Sequence, residues 1–527
     1  MKNAVFVVLC GVLLFGSFFT GCEKKEPEPI SVEMVIANGD EPLSLDPSQI
    51  NGVLEQRIYN ALFEGLVGYN PRTAKAVPGV AENWTFSGDG TILTFSIREG
   101  ITWSDGTPIT AQQIVDSWLH HLNPATASPY AYMIGMIVKG AADYNESDGK
   151  PEDVAIRAVN ARTFEVKLIS NVPYALDMMA HFAFSPLPMH AIQKHGSNWI
   201  KPGNIVSNGP FVLLEHIPNN RIVVTPNDKY WNKANIFIKK ITFLPIEDEN
   251  TVYQAYRNNE IDWVTNPPMA LINELVLRKD FQRSAQLGIY YYYINTRHPV
   301  LKDPRIRKAL SMGFNREELI DSVLRGGELP ALGFSPPINN YKPASGSGFN
   351  VAAARQLLTE AGYPGGQGLP PMEILYNTSE RHKIIAEYMQ EQWRVNLGVN
   401  VVLKNMEWAT YLTERMTDRM QICRAGWIAD YMDPQNFLEL LMTESGNNAG
   451  HYSDAEYDRL LKQAASLPDG PTRDAVLRQA EEILIVRDQA VIPIYYYVAQ
   501  NLIDRDKWDG WYSNPLDVHP YVGMKRK

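Results

Sequence analysis

Of the three cysteines in this chain, two fall in its first 22 residues and the third, Cys423, stands alone, so no disulfide can form within the mature domain. That matters because the N-terminus reads as an export signal. Lys2 is followed by an apolar run from Ala4 to Phe19 and then by Thr20-Gly21-Cys22. The run is too short for a stable membrane span and fits a secretory core. A chain of 527 residues exported without disulfides must be held by buried apolar surface, and its length implies two to four domains. Cys423 is read as a buried structural thiol.

Charge narrows the partners. The net charge is −10, with no basic block except Lys525-Arg526-Lys527, which argues against nucleic acid. A charged fraction of 20% and an apolar fraction of 45% are those of a globular protein, with no second long apolar run after the signal.

Strands and helices mix along the whole chain, which gives the class α/β. Period-two patterns and short β-prone runs mark strands at 32–36, 91–97, 154–158, 163–168, 211–215, 221–225, 240–244, 290–293, 399–404 and 491–497. Helical spacing marks 54–66, 111–121, 250–258, 351–361, 380–397, 412–419, 455–465 and 473–487. Thr110 is placed to cap the second of these, and Gly362 and Gly398 stop two others.

The usual signatures of catalysis and metal binding are missing: there is no phosphate loop, H-E-x-x-H, G-x-S-x-G or C-x-x-C. His190 and His195 are five apart, which on a helix points them roughly 140° from each other. No nucleophile, base and orienting group come together, and no cofactor is implied.

One stretch stands out: Arg424-Ala425-Gly426-Trp427-Ile428-Ala429-Asp430. It holds a cation, an indole face and a carboxylate among small residues that let another backbone approach. A zwitterion such as a peptide carries the complementary charges. The alternative is an Arg424–Asp430 pair bracing its own turn. His382, three residues after Ser379, falls in the first turn of the helix 380–397, where the positive helix end favours anions.

Several ordered stretches carry a resemblance: Pro78-Gly79-Val80-Ala81-Glu82-Asn83-Trp84, Trp103-Ser104-Asp105-Gly106-Thr107-Pro108, Thr126-Ala127-Ser128-Pro129-Tyr130-Ala131, Pro202-Gly203-Asn204-Ile205-Val206, Leu375-Tyr376-Asn377-Thr378-Ser379 and Arg424-Ala425-Gly426-Trp427. From Val32 onward the chain resembles family 5 of the extracellular solute-binding proteins, the receptors of peptide ABC importers, and within it the oligopeptide-binding group. The resemblance implies a two-lobed periplasmic-binding-protein-like clamp of cluster C with an extra N-terminal domain, working as a monomer. Lobe I would comprise 30–63, 190–290 and 498–527, the extra domain 64–189, and lobe II 291–497, after a signal peptide at 1–21 and a tether at 22–29.

The resemblance also implies that Asp430 holds a peptide ammonium, that Arg424, His382 and Arg415 receive carboxylates, and that the Gly426–Trp427 backbone and the Asn51-Gly52-Val53 loop pair with the peptide main chain. Tyr130 and Tyr496 would line the cleft. Asn51 stands where the group usually has an acid, and Arg325 lies near the place of its lysine for short peptides. Cys22 resembles a lipoprotein box, which would tie the protein to a membrane and bring short peptides to permease subunits. The rivals are a receptor for a nickel complex or haem on the same fold, a surface adhesin, and a peptidase.

Overall fold

The computed structural model describes residues 32–338 and 340–527. The signal segment, the tether and Cys22 lie outside the described residues. Among those described, no helix is long and apolar enough to cross a membrane.

Two long strands, Phe281–Ile294 and Val491–Ile503, run through the middle of a large mixed sheet and pair antiparallel with each other. On one side follow Trp263–Val264, Glu33–Ala37, Lys240–Leu244, Arg221–Pro226 and Phe211–Ile217. On the other side lie Ile422–Ile428, Met372–Asn377 and Val401–Met406. The pairing of the two long strands is interrupted between Ala285 and Ile289, where their register shifts.

The tyrosine run explains why these strands are buried on both faces. Tyr290, Tyr292 and Ile294 enter one core with Leu310, Ile374, Trp393 and Ile422. Ile289, Tyr291 and Tyr293 enter another, with Phe334, Cys423 and Ala425. Each tyrosine is at most 2% exposed, so alternation here sorts side chains between two cores and not between core and water.

A separate four-stranded antiparallel sheet occupies Ala81–Phe86, Ile92–Ile97, Thr163–Lys167 and Ile156–Asn160. The helix Ala111–Leu122 covers it, capped by Thr110, whose hydroxyl accepts from Gln113 N–H at 3.4 Å. Trp118 packs edge-on against Phe164 and Phe184 at 5.0 and 5.2 Å. Glu64, just after the helix Val53–Leu62, accepts from the Tyr230 hydroxyl at 2.5 Å and from Trp231 Nε1 at 2.7 Å.

The helix expected at 412–419 is displaced, and spans Trp408–Glu414. Its start is set by Glu407, whose carboxylate accepts from the N–H groups of Ala409 and Thr410 at 2.8 and 3.2 Å. Arg415 caps its C-terminus in helical conformation, its N–H donating to Tyr411 C=O at 3.0 Å. The strand expected to end at Tyr497 continues to Ile503.

Candidate functional site

A partly open cleft with a cavity volume of about 200 Å³ lies between the start of the helix Val53–Leu62, the segment around Tyr130 and His181, and the end of the strand Ile422–Ile428. Of the residues singled out from sequence, Asn51, Gly52, Val53, Tyr130, Arg415, Arg424, Gly426, Trp427 and Asp430 line it.

The strand supplies an unused edge. It pairs with Met372–Asn377 only at Ile422 and Cys423, and beyond that point its neighbour has left. On its other edge, Ala429 N–H donates to Leu287 C=O at 2.8 Å, so odd-numbered residues turn their backbone groups toward the strand Phe281–Ile294. The N–H and C=O of Gly426 and Ile428 therefore project from the free edge, where both residues line the cleft.

The two ends of this edge differ in charge. Arg424 donates to the Tyr497 hydroxyl at 3.1 Å and to Asn377 Oδ1 at 3.4 Å, and its guanidinium lies 5.0 Å from the centre of the Tyr290 ring. Among the described residues neither Arg424 nor Arg415 has a carboxylate within ion-pair distance, and the Nε of each is buried without a partner. At the other end Asp430 Oδ1 lies 3.3 Å from His181 Nε2. The Arg424–Asp430 pair that would merely brace a turn is not formed.

Asp430 is held from behind. Asn436 Oδ1 accepts from Asp430 N–H at 2.9 Å and from Trp427 Nε1 at 3.0 Å, and its Nδ2 reaches Asp430 Oδ2 at 3.5 Å. The loop itself is anchored by a buried Arg473–Asp433 pair with two contacts of 2.8 Å and by the Tyr431 ring stacked on Tyr174 at 4.7 Å. Burial pushes the carboxyl of nearby Glu439 well above the usual carboxylate range.

Tyr496 does not line this cavity; its hydroxyl donates to Gly333 C=O at 3.2 Å, and its neighbour Tyr497 faces the cleft instead. Adjacent strand residues face opposite sides, and it is Tyr497 that meets Arg424. His382 stands one layer back, its Nδ1 3.3 Å from the Tyr290 hydroxyl. Burial first, then the Arg424 and Arg381 charges, hold its imidazole well below the ordinary histidine value. Arg325 is exposed and donates to its own Ser322 C=O at 2.9 Å. Cys423 is buried, and burial pushes its thiol up to about 12.

Sequence reasoning missed His181, Asn436, Tyr69, Trp408 and Tyr497, all at or against this cleft. A lone histidine or asparagine carries no local pattern. Tyr497 adjoins Tyr496, the residue expected in its place.

Residues 75–449 match the model of the bacterial extracellular solute-binding proteins, family 5. The chain belongs to this family. The family 5 chain is 38% identical over 497 residues to the periplasmic oligopeptide-binding protein OppA of Escherichia coli, covering 92% of this chain and 90% of that one. It is similar to the Haemophilus influenzae OppA structure in complex with RPPGFSPFR, with 33% identity, 94% and 99% coverage and a TM-score of 0.88. It also matches a structure of the E. coli murein tripeptide binding protein MppA at 35% identity, with 94% and 99% coverage and a TM-score of 0.90. The unliganded open form of MppA matches at the same identity, with 94% and 98% coverage, but with a TM-score of 0.67. At equal identity, the chain therefore superposes less closely on that open form than on the other MppA structure.

Proposed function

We propose that this protein is an extracytoplasmic receptor that encloses an extended peptide and hands it to the permease of an ABC importer. The observation that carries the reading is the free edge at Gly426 and Ile428, with Asp430 at one end and two arginines without carboxylate partners toward the other. A peptide strand added to such an edge gains main-chain hydrogen bonds without regard to its side chains. Its ammonium and carboxylate then meet Asp430 and the arginines, which sets polarity and register. Enclosure strengthens these contacts, since a charge pair at ~4 Å is worth ~4 kcal/mol at an effective dielectric of 20 and ~1 kcal/mol in water.

In this reading the lobes are 30–63 with 190–290 and 498–527, and 291–497, with 64–189 as the added domain. The break in pairing between Ala285 and Ile289 falls just before the boundary at 290. Cys22 carries the lipid that keeps the receptor at a membrane surface, and the working form is the monomer. The role is binding and delivery, without catalysis.

Mass spectrometry of material released by denaturing the purified protein tests the function. Peptides of mixed sequence are the expected result. Release of a metal complex, a haem or another non-peptide in stoichiometric amount overturns it. Intact mass of protein from its native membrane tests the anchor: an unmodified Cys22, or cleavage elsewhere, removes it.

A further inference from the structure

We propose that His181 is the positioning residue of the ammonium site and that its two ring nitrogens have separate tasks. The inference rests on the reading of Asp430 as the receiver of a ligand ammonium.

His181 precedes the short 3-10 turn Phe182–Phe184 and caps it: its Nδ1 accepts from Ala183 N–H at 3.3 Å. A ring nitrogen that accepts a hydrogen bond carries no proton, so the neutral imidazole holds its hydrogen on Nε2. That nitrogen lies 3.3 Å from Asp430 Oδ1, so the positive end of its N–H dipole sits against the carboxylate. The ring has little freedom to turn. It is 2% exposed at the side chain, with the Tyr130 ring centre 4.8 Å away and the Phe182 ring centre 3.8 Å away.

The consequence is electrostatic. An arginine or lysine at this place would neutralise Asp430 and compete with the ligand. A neutral donor fixes one carboxylate oxygen and leaves the negative charge for the cleft. Asn436 Nδ2 lies on the second oxygen at 3.5 Å, so both oxygens are oriented by neutral groups. His181 and Asp430 come from distant parts of the chain, one after the four-stranded sheet and one after the strand Ile422–Ile428, so the pair is made only when those parts meet across the cleft.

Two substitutions separate the nitrogens. In His181→Asn the amide oxygen reproduces the Nδ1 acceptor and keeps the turn cap, but nothing reaches Asp430. In His181→Gln the amide N–H reaches about as far as Nε2, and the short acceptor is lost. Titration calorimetry with trialanine and N-acetyl-trialanine on the wild type and both variants reads the outcome.

Wild type prefers the free amine. His181→Asn loses about 10-fold or more for trialanine, as for a hydrogen bond to a charged group, and changes little for the acetylated form. His181→Gln keeps most of the preference for the free amine while its melting temperature falls. Equal losses for both peptides in His181→Asn, or no loss, overturn the proposal while the function stands. No preference in wild type overturns both. Should His181→Asn fail to fold, loss of the free-amine preference in His181→Gln is the overturning result.

Discussion

The Arg424 guanidinium donates through Nη2 to the Tyr497 hydroxyl at 3.1 Å, across the space that a side chain on Gly426 would enter. Gly426 has no positive φ, so its need for glycine is one of room and not of backbone conformation. The hydrogen bond holds Arg424 toward the cleft, and the empty Cα lets a second backbone lie against the edge.

Gly426→Ala should therefore push on Tyr497 and Arg424 and weaken ligand binding. Overpacking of this kind costs about 1–3 kcal/mol, or roughly 5-fold to 150-fold in Kd. Gly426→Ala with Tyr497→Phe removes the oxygen that is struck and should recover part of the loss. Calorimetry on the single and double variants checks this; no recovery would place the damage elsewhere.

Asp430→Asn keeps shape and removes charge. Truncating one partner of a buried charge pair costs ~2–5 kcal/mol, about 30-fold to several thousand-fold. An N-acetylated peptide lacks the ammonium and should lose little more in the variant than it has already lost in wild type. The four combinations form a double-mutant cycle, and a coupling energy near zero would refute the contact.

The parts of this site legible in the sequence are those with local chemistry. Arg424, Gly426, Trp427 and Asp430 sit within seven residues, and their charge pattern and order can be read directly. The four tyrosines at 290–293 are legible as a strand, but not as a strand buried on both faces, because a uniform run carries no alternation to read. Tyr496 is expected from the resemblance where Tyr497 faces the cleft, and a run of three tyrosines does not itself say which face of the strand looks into the cleft. His181 and Asn436 are invisible. Their meaning lies in Asp430, far away in sequence for one and hidden within an ordinary short helix for the other.

Glu64 offers a stability prediction. Burial raises its carboxyl to about 7, although Tyr230 and Trp231 donate to it and pull the other way. The ordinary value is 4.5, so between 4.5 and about 7 the folded state holds more protons than the unfolded one. Unfolding free energy should therefore fall as pH rises through that window, and Glu64→Gln should remove this component. Melting curves of both proteins at pH 5 and pH 8 decide it: the variant should gain on wild type at the higher pH. A constant difference would contradict the raised value.

His382 yields the corresponding prediction for binding. In the free protein, burial and the Arg424 and Arg381 charges hold its imidazole neutral well below the ordinary value of 6.5. A ligand carboxylate brought beside it would favour the charged form and raise its pKa. The complex would then hold more protons than the free receptor in the interval between the two values, so binding takes up protons there. Affinity should rise as pH falls through that interval, by up to about tenfold for each pH unit it spans, and be flat above the upper value. Calorimetry in two buffers of different ionisation enthalpy, at pH 5.5 and 7.5, measures the uptake directly. His382→Gln should abolish it. Tyr290→Phe removes the hydroxyl 3.3 Å from Nδ1 and tests whether that contact is needed for the uptake. If Tyr290→Phe leaves the uptake intact, the proton belongs to the histidine and the ligand. If wild type shows no uptake with peptides of three to five residues, His382 takes no part in receiving the carboxylate.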